Sequence, residues 1–174
     1  MLGLKRGTVR VVPSDTGWRE AFVGEKSSLQ QRLGSLVLDI QHVGSTAVPG
    51  LAAKPILDLA IAIAPEQPIA PLRPPLVALG YLDRGDGGAH GGYLFVKEIV
   101  PEVRSHHVHI VAVTDPQWRW YLFFRDRLRS DQVLCSEYAA LKQSLARRFA
   151  HDRDGYTQAK HDFIRRVLAA CPRA

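Results

Sequence analysis

An apolar run at residues 55–63, PILDLAIAI, constrains the fold of this chain more than any other feature of the sequence. Hydrophobic residues occupy both of its alternating sets of positions, so the run predicts a strand that is covered on both faces at the centre of a sheet. Asp58 interrupts the run, and strand alternation turns its side chain away from Leu57 and Leu59. Because a buried carboxylate needs a partner, Asp58 is either part of a site or an acceptor for a nearby backbone amide.

The pattern of hydrophobic residues before Thr114 is typical of a mixed α/β structure. Alternating or β-branched runs predict strands at residues 8–12, 36–43, 55–63, 93–100 and 102–113. The last two runs are predicted to form an antiparallel pair. One helix is predicted to begin after residue 14 or 15 and to end at Gly34, and a short second helix is predicted to end near Gly80.

After Thr114 the apolar residues recur at the three- and four-residue steps of helices. Three helices are predicted, with caps at Thr114 or Asp115, at Ser130 or Asp131, and at Asp154. The glycine-rich segment RGDGGAHGG at residues 84–92 is predicted to be irregular. We therefore expect a single domain over residues 1–174, in which residues 1–113 are mixed α/β and residues 114–174 are helical.

The chain is basic, with a formal net charge of +6. This excess favours an anionic partner, such as a phosphorylated small molecule, nucleic acid or another polyanion, and the alternative is a solvated basic surface. The basic residues are scattered and form no stacking platform with Trp18, Trp118 or Trp120, which argues against nucleic acid. Cys135 and Cys171 do not make a disulfide framework, and no apolar run is long enough to span a bilayer. A cytoplasmic protein without a membrane partner is predicted.

A turn of small and hydroxyl residues precedes the apolar run. His42 lies at the end of a predicted strand, and Gly44, Ser45 and Thr46 follow almost at once. Glycine lets a ligand approach the backbone closely, and the amides and hydroxyls of such a turn can hold phosphate oxygens. Lys54 brings a positive charge to the same region. These five residues are predicted to bind phosphate, and the alternative is a plain turn or helix cap.

Several segments resemble the motifs of one protein family. The stretch HVGSTAVPGLAAKPILDL resembles the signature of the GrpB family, and SHHVHIV, FFRDRLRS, EYAALK and GYTQAKHDFI are similar to its later motifs in the same order. The resemblance covers nearly the whole chain. It implies an α+β fold, with a nucleotidyltransferase-like mixed sheet and flanking helices followed by a C-terminal helical segment. In some bacteria such domains are fused to dephospho-CoA kinase.

The resemblance also implies a role for Asp58. In the nucleotidyltransferase superfamily a hydrophobic residue, a glycine and a glycine or serine are followed, after a gap, by two acidic residues that flank a hydrophobic one. Val43, Gly44 and Ser45 match the first part, and Asp58 matches the first acidic position, as a catalytic and metal-binding carboxylate. Ala60 stands at the second acidic position, which leaves at most one metal carboxylate on this strand.

Two histidines are candidates for the missing metal ligands. His107 and His109 are two residues apart, so their side chains leave the same face of a strand, and they match a His-hydrophobic-His motif of the family. With Asp58 they would form a mixed oxygen and nitrogen site, which favours Mn²⁺, Zn²⁺ or Fe²⁺ over Mg²⁺. In the alternative, one histidine hydrogen-bonds Asp58 and orders it without a metal.

The helical part adds residues that match family positions. Tyr138 and Lys142 are four residues apart, and so are Tyr156 and Lys160, so each pair shares a helical face. Arg125 lies in the segment FFRDRLRS. Arginine and lysine suit phosphate, and tyrosine can stack on a base. We expect Arg125, Tyr138, Lys142 and Lys160 to line a cleft against the sheet, and the alternative is an ordinary amphipathic helix.

Two functions of different class follow from these residues. The first is a metal-dependent nucleotidyltransferase, with Mn²⁺, Mg²⁺ or Zn²⁺ as the cofactor. The second is a binding module for a nucleotide or a CoA-like molecule that has lost the second metal carboxylate. Both predict an anionic small molecule as the partner, and the sequence leaves the oligomeric state open.

Overall fold

A six-stranded mixed sheet with helices on both faces forms the body of the protein, in a computed structural model that describes residues 1–87 and 92–172. The strands are β1 (Leu4–Lys5), β2 (Asp39–Val43), β3 (Leu57–Ile63), β4 (Tyr81–Asp86), β5 (Tyr93–Val100) and β6 (Val103–Ala112). The helices are α1 (Gly17–Leu33), α2 (Arg73–Ala78), α3 (Pro116–Ser130), α4 (Gln132–Arg148), α5 (Arg153–Gln158) and α6 (His161–Leu168). Short 3₁₀ turns lie at Gly34–Leu36, Ser45–Ala47 and Ala70–Leu72.

The strands lie in the order β2-β3-β6-β5-β4. Strands β3 and β6 run parallel, whereas β2 with β3, β4 with β5 and β5 with β6 are antiparallel. Strand β1 pairs antiparallel with the first residues of β6. The predicted class, a mixed sheet with flanking helices and a helical C-terminal segment, is confirmed.

Strand β3 is covered on both faces, as its sequence predicts. Its leucines and isoleucines pack with Trp18 and Leu29 of α1 and Leu76 of α2 in the larger core cluster. On the other face, Ala60 and Ala62 pack against α3 in a smaller cluster. The small side chains on this second face let α3 lie close to the sheet, and Asp58 leaves β3 on the same face.

The predicted strand at residues 8–12 is wrong. The segment makes a single bridge, between Val12 and Ala53, and the Val9 amide donates to the Ala150 carbonyl 2.8 Å away. Val9 is buried against Leu145 and Tyr156. The alternating pattern therefore reflects burial between a loop and the helical part, where no neighbouring strand edge offers a continuous ladder.

The glycine-rich segment is more regular at its start than predicted. Residues 84–86 belong to β4, and a register shift between Asp83 and Asp86 absorbs the irregularity while pairing with β5 continues. The rest of the predicted loop, residues 88–91, lies outside the described residues.

The helical part contains four helices in the described residues, where the sequence predicts three. Asp115 and Asp131 cap α3 and α4 by accepting from the amides of Gln117 and Leu134. The last predicted helix is divided into α5 and α6, and its cap is Asp152 rather than Asp154. No helix within residues 1–87 and 92–172 is both long and apolar enough to cross a membrane.

Candidate functional site

The parallel pairing of β3 and β6 places Asp58 directly beside His107. The Nδ1 atom of His107 lies 3.0 Å from the Oδ1 atom of Asp58. His109 follows two residues later on the same face, and ligand atoms of Asp58, His107 and His109 all lie within 4.8 Å of one another. The three residues that the sequence singles out as metal ligands are therefore brought together.

The electrostatics of Asp58 fix the direction of its hydrogen bond. Burial opposes ionisation of this carboxyl, but the hydrogen bond with His107 and the charges of His107, His109 and Lys160 hold its pKa below the ordinary value. An ionised carboxylate can only accept, so Nδ1 of His107 donates. The Nε2 atom of His107 is buried and has no hydrogen-bond partner among the described residues.

A cavity of about 600 Å³ opens in front of this cluster. It lies between the sheet, the N-terminal segment at residues 4–8, helix α3 and helices α5 and α6. One of its described lining residues, Asp58, is acidic. Seven are lysines or arginines: Lys5, Arg6, Lys54, Arg104, Arg153, Lys160 and Arg165. Such a wall attracts an anion.

Two lysines of the cavity share one aromatic ring. The Nζ atoms of Lys54 and Lys160 lie 4.2 and 4.4 Å from the ring centroid of the buried Tyr156. Burial and the nearby positive charges of Lys160 and Arg153 lower the pKa of Lys54 to about 7. Burial likewise lowers the pKa of Lys160 to about 8. An anion in the cavity would stabilise the charged form of both ammonium groups, because its negative charge would offset their lost hydration and the repulsion from nearby cations.

Gly44, Ser45 and Tyr138, which are among the residues predicted to bind a ligand, also line the cavity. Gly44 and Ser45 lie at the end of β2, next to Asp58. Tyr138 is buried and stacks on Phe163, with ring centroids 4.8 Å apart. Tyr138 therefore also packs in the hydrophobic core.

His42 and Thr46 do not lie on the cavity, in contrast to the prediction. His42 is buried and stacks on Phe22 of α1, with ring centroids 4.7 Å apart. Burial lowers the pKa of His42 to about 4, so the ring is neutral. Its Nε2 atom lies 3.0 Å from the Thr46 hydroxyl, which donates to the Ile56 carbonyl. These two residues join the loop before β3 to the core, because their side chains leave the strand end on the α1 side.

Arg125 and Lys142 also lie away from the cavity, in contrast to the predicted cleft. Arg125 donates to the Gln41 side chain at 2.8 Å and to the His42 carbonyl at 3.0 Å. Lys142 is buried, donates to the Ala52 carbonyl, and lies over the Tyr138 ring. Arg125 therefore ties α3 to the end of β2, and Lys142 ties α4 to the loop before β3. Both cations hold the segments around the site in place without lining the cavity.

Sequence reasoning missed Arg104, which lines the cavity from β6. Alternation from His107 would put Ser105, and not Arg104, on the cavity face. A register shift changes this, because Lys97 pairs with His106 and Glu98 with Arg104, which leaves Ser105 as an extra residue. Bulges of this kind redirect side chains. Lys5, Arg6 and Arg153, which the sequence gives no reason to group together, also reach the cavity.

The donor set fits a single divalent ion. One carboxylate and two imidazoles are ligands that Mn²⁺ and Zn²⁺ accept readily. A second carboxylate at position 60 is excluded by packing, because Ala60 is fully buried in the cluster with Val111 and Trp118. The site thus offers the ligands of one metal ion on these strands, and a two-metal arrangement has no second carboxylate here.

Comparison with known proteins identifies the family. A sequence model described as "GrpB protein" matches residues 8–170. The crystal structure of the conserved protein GrpB from Enterococcus faecalis superposes with a TM-score of 0.84 at 32% identity, and the match covers 93% of this chain and 96% of that one.

Curated relatives differ in how much of their length this chain spans. A glutamate-rich protein GrpB from Alkalihalophilus pseudofirmus is 31% identical, over 97% of this chain and 98% of that protein. A UPF0157 protein from Pseudomonas aeruginosa is 38% identical, over 92% of this chain and 66% of that protein. A dephospho-CoA kinase from Mycolicibacterium paratuberculosis is 30% identical, over 93% of this chain and 46% of that protein. The chain therefore spans less than half of the kinase.

Proposed function

This chain belongs to the GrpB family, and we propose that its cavity binds a phosphorylated small molecule of the nucleotide or CoA type. The observation that carries this proposal is the charge of the cavity, where seven basic residues and one carboxylate surround about 600 Å³. That volume suits a ligand of this size. Basic residues that converge on a cavity favour a small anion over an extended nucleic acid.

The proposal includes a divalent ion bound between the neighbouring strands β3 and β6, on the face that carries Asp58. Asp58, His107 and His109 would hold it, and the ion would supply positive charge to the phosphate oxygens of the ligand. The nitrogen donors favour Mn²⁺ or Zn²⁺, and Mg²⁺ would need further oxygen ligands from water or phosphate. The arginine and lysine side chains that line the cavity would neutralise the remaining charge of the ligand.

Binding without turnover is the form of the proposal that the packing around Ala60 supports. Nucleotidyl transfer remains a second candidate, because Gly44, Ser45 and Asp58 retain the order of a nucleotidyltransferase motif. The buried Ala60 opposes it, since a two-metal reaction normally requires another carboxylate beside Asp58.

Two further observations bear on the cellular compartment of the protein and on the choice of candidate ligands. Cys135 and Cys171 are free thiols, which fits a reducing cytoplasm. A relative carries the name dephospho-CoA kinase, so CoA and dephospho-CoA belong among the first compounds to be tested beside the nucleotides.

A thermal-shift screen tests this function. Nucleotides, CoA and dephospho-CoA are added to the protein in EDTA, Mg²⁺, Mn²⁺ or Zn²⁺. A ligand at a hundred times its Kd stabilises a fold by about 2.7 kcal/mol, so we expect a clear rise in Tm that is larger with Mn²⁺ or Zn²⁺ than in EDTA. No rise with any of these compounds would contradict the proposal. Release of pyrophosphate from a nucleoside triphosphate that binds would establish the second candidate.

A further inference from the structure

Arg104 is a buried cation with one buried donor, its Nε atom, that no described residue uses. The residue is 8% exposed, and its Nε atom is buried without a hydrogen-bond partner among the residues that the structure describes. The nearest carboxylate oxygen, Oε1 of Glu98, is 3.8 Å from Nε, which is too long for a hydrogen bond.

Glu98 cannot neutralise this cation alone. The same Oε1 atom lies 3.6 Å from Arg84. It is buried and accepts no hydrogen bond from the described residues, so it makes only long ion pairs with the two guanidinium groups. The other oxygen of Glu98 accepts from the Glu102 amide at 2.9 Å. One carboxylate with one oxygen already engaged therefore faces Arg84 and Arg104.

Further arginines increase the excess of positive charge around Arg104. Burial, followed by the charges of Arg153, Arg84 and Arg6, lowers the pKa of the Arg104 guanidinium. Arg153 and Arg6 line the same cavity as Arg104. The acidic neighbour of Arg153, Asp154, is 3.9 Å away and 92% exposed, so it screens Arg153 only weakly.

Arg153 is close to both groups of cations in the cavity. Its charge lowers the pKa of Lys54 and of Lys160 as well as that of Arg104. Arg104 lies three residues before His107 on β6, and because Ser105 is an extra residue between them the separation along the strand is roughly 7–10 Å. The arginine end of the cavity is therefore distinct from the Asp58 cluster but within reach of one ligand.

We propose that Arg104 and Arg153 form a phosphate-binding subsite that works without a metal ion. A buried guanidinium nitrogen without a hydrogen-bond acceptor is unfavourable, and phosphate offers paired acceptors that match the arginine fork. The subsite rests on the proposed function in taking the ligand to be phosphorylated, and it adds that the ligand carries more than one phosphate group. One phosphate lies at the Asp58 cluster and another contacts the two arginines.

Calorimetry with pyrophosphate in EDTA tests the subsite. We expect the wild-type protein to bind pyrophosphate without a divalent ion, and Arg153→Gln to weaken this binding at least tenfold. Arg104→Lys keeps the charge but removes the fork, and we expect it to weaken binding as well. Arg147→Gln removes an equal charge from an exposed position of α4 outside the cavity and should bind like the wild type.

The outcomes separate this subsite from the proposed function. Wild-type affinity in both Arg153→Gln and Arg104→Lys, or no binding of pyrophosphate in EDTA, would overturn the subsite even if nucleotides or CoA bind with a metal. Binding of pyrophosphate in EDTA that Arg153→Gln weakens would support the subsite. It would do so even if no nucleotide or CoA derivative raises Tm in the screen, a result that would overturn the proposed function alone.

Discussion

A β-carbon at Gly44 would lie 2.5 Å from the Oδ2 atom of Asp58 and 2.9 Å from its Cβ atom. Gly44 also has a φ of +67°, a backbone conformation that residues with side chains rarely adopt. The carboxylate of Asp58 therefore occupies the space that any side chain at position 44 would need. The glycine and the aspartate of the motif are coupled by packing, whatever ligand the site holds.

Gly44→Ala should destabilise the protein and displace Asp58. Gly50→Ala is a matched control, because Gly50 has a φ of +77° but nothing lies within 4 Å of its added β-carbon. We expect Gly44→Ala to lower the free energy of unfolding by about 1–3 kcal/mol more than Gly50→Ala, since overpacking adds to backbone strain. Urea denaturation measures the difference. Equal losses in the two variants would show that the contact with Asp58 has no energetic weight.

Asp58 and its two histidines could be predicted because the signal is local. Strand alternation fixes the face of Asp58, His107 and His109, and the family resemblance places their strands in one sheet. The parallel register that sets Asp58 directly beside His107 is a tertiary fact that neither premise supplies.

Apart from Lys54 and Lys160, the basic residues of the cavity could not be predicted in the same way. Arg104 reaches it through an extra residue in β6, and a bulge leaves no mark in the hydrophobic pattern. Residues 4–8 and Arg153 reach it through the packing of a chain end and a short helix. Arg125 and Lys142 are predicted to line the cavity but lie outside it. A cation at a family position can donate to a backbone carbonyl as well as to a ligand, and the sequence does not distinguish the two roles.

Arg125→Met should lower stability and leave ligand affinity unchanged. It removes hydrogen bonds from a charged group to Gln41 and to the His42 carbonyl, so we expect a loss of about 1.5–3 kcal/mol in the free energy of unfolding. Arg127→Met on the same helix removes a half-exposed pair with Asp131 and should cost less than about 1 kcal/mol. A tenfold loss of affinity for the best ligand of the screen in Arg125→Met would return Arg125 to the binding site.

Asp58→Asn should remove the effect of divalent ions on ligand binding while the protein remains folded. The amide keeps the shape of the side chain but loses the negative charge that a cation requires. We expect Mn²⁺ to add nothing to the ligand-induced rise in Tm. Glu66→Gln, at an exposed position outside the cavity, should behave like the wild type. A lower Tm with the metal effect intact would mean that Asp58 orders His107 and binds no ion.

Lys54 should make the stability of the protein depend on pH, because its pKa in the folded state is lowered to about 7. Burial and the charges of Lys160 and Arg153 lower this pKa, and Asp58 and Asp154 oppose them more weakly. The ordinary pKa of 10.5 applies to the unfolded chain. Between these two values the unfolded state holds a proton that the folded state has lost. The free energy of unfolding therefore rises with pH from about 7 to about 10, by up to about 1.4 kcal/mol per pH unit for one proton.

Lys54→Met keeps the length of the side chain and removes the proton, so its free energy of unfolding should rise less steeply with pH than that of the wild type. The variant should be more stable than the wild type at pH 7, where folding must either remove the proton of Lys54 or keep its charge in a half-buried position. The advantage should shrink toward pH 10. Urea denaturation at pH 7.5, 8.5 and 9.5 measures this difference, with Lys26→Met on α1 as the control. Parallel pH profiles for Lys54→Met and the wild type would show that Lys54 keeps its proton throughout.

An anion that binds beside Lys54 should restore the proton of this lysine. Pyrophosphate binding at pH 8.5 should therefore take up protons in the wild type and fewer protons in Lys54→Met. Calorimetry in buffers of different ionisation enthalpy measures this proton uptake.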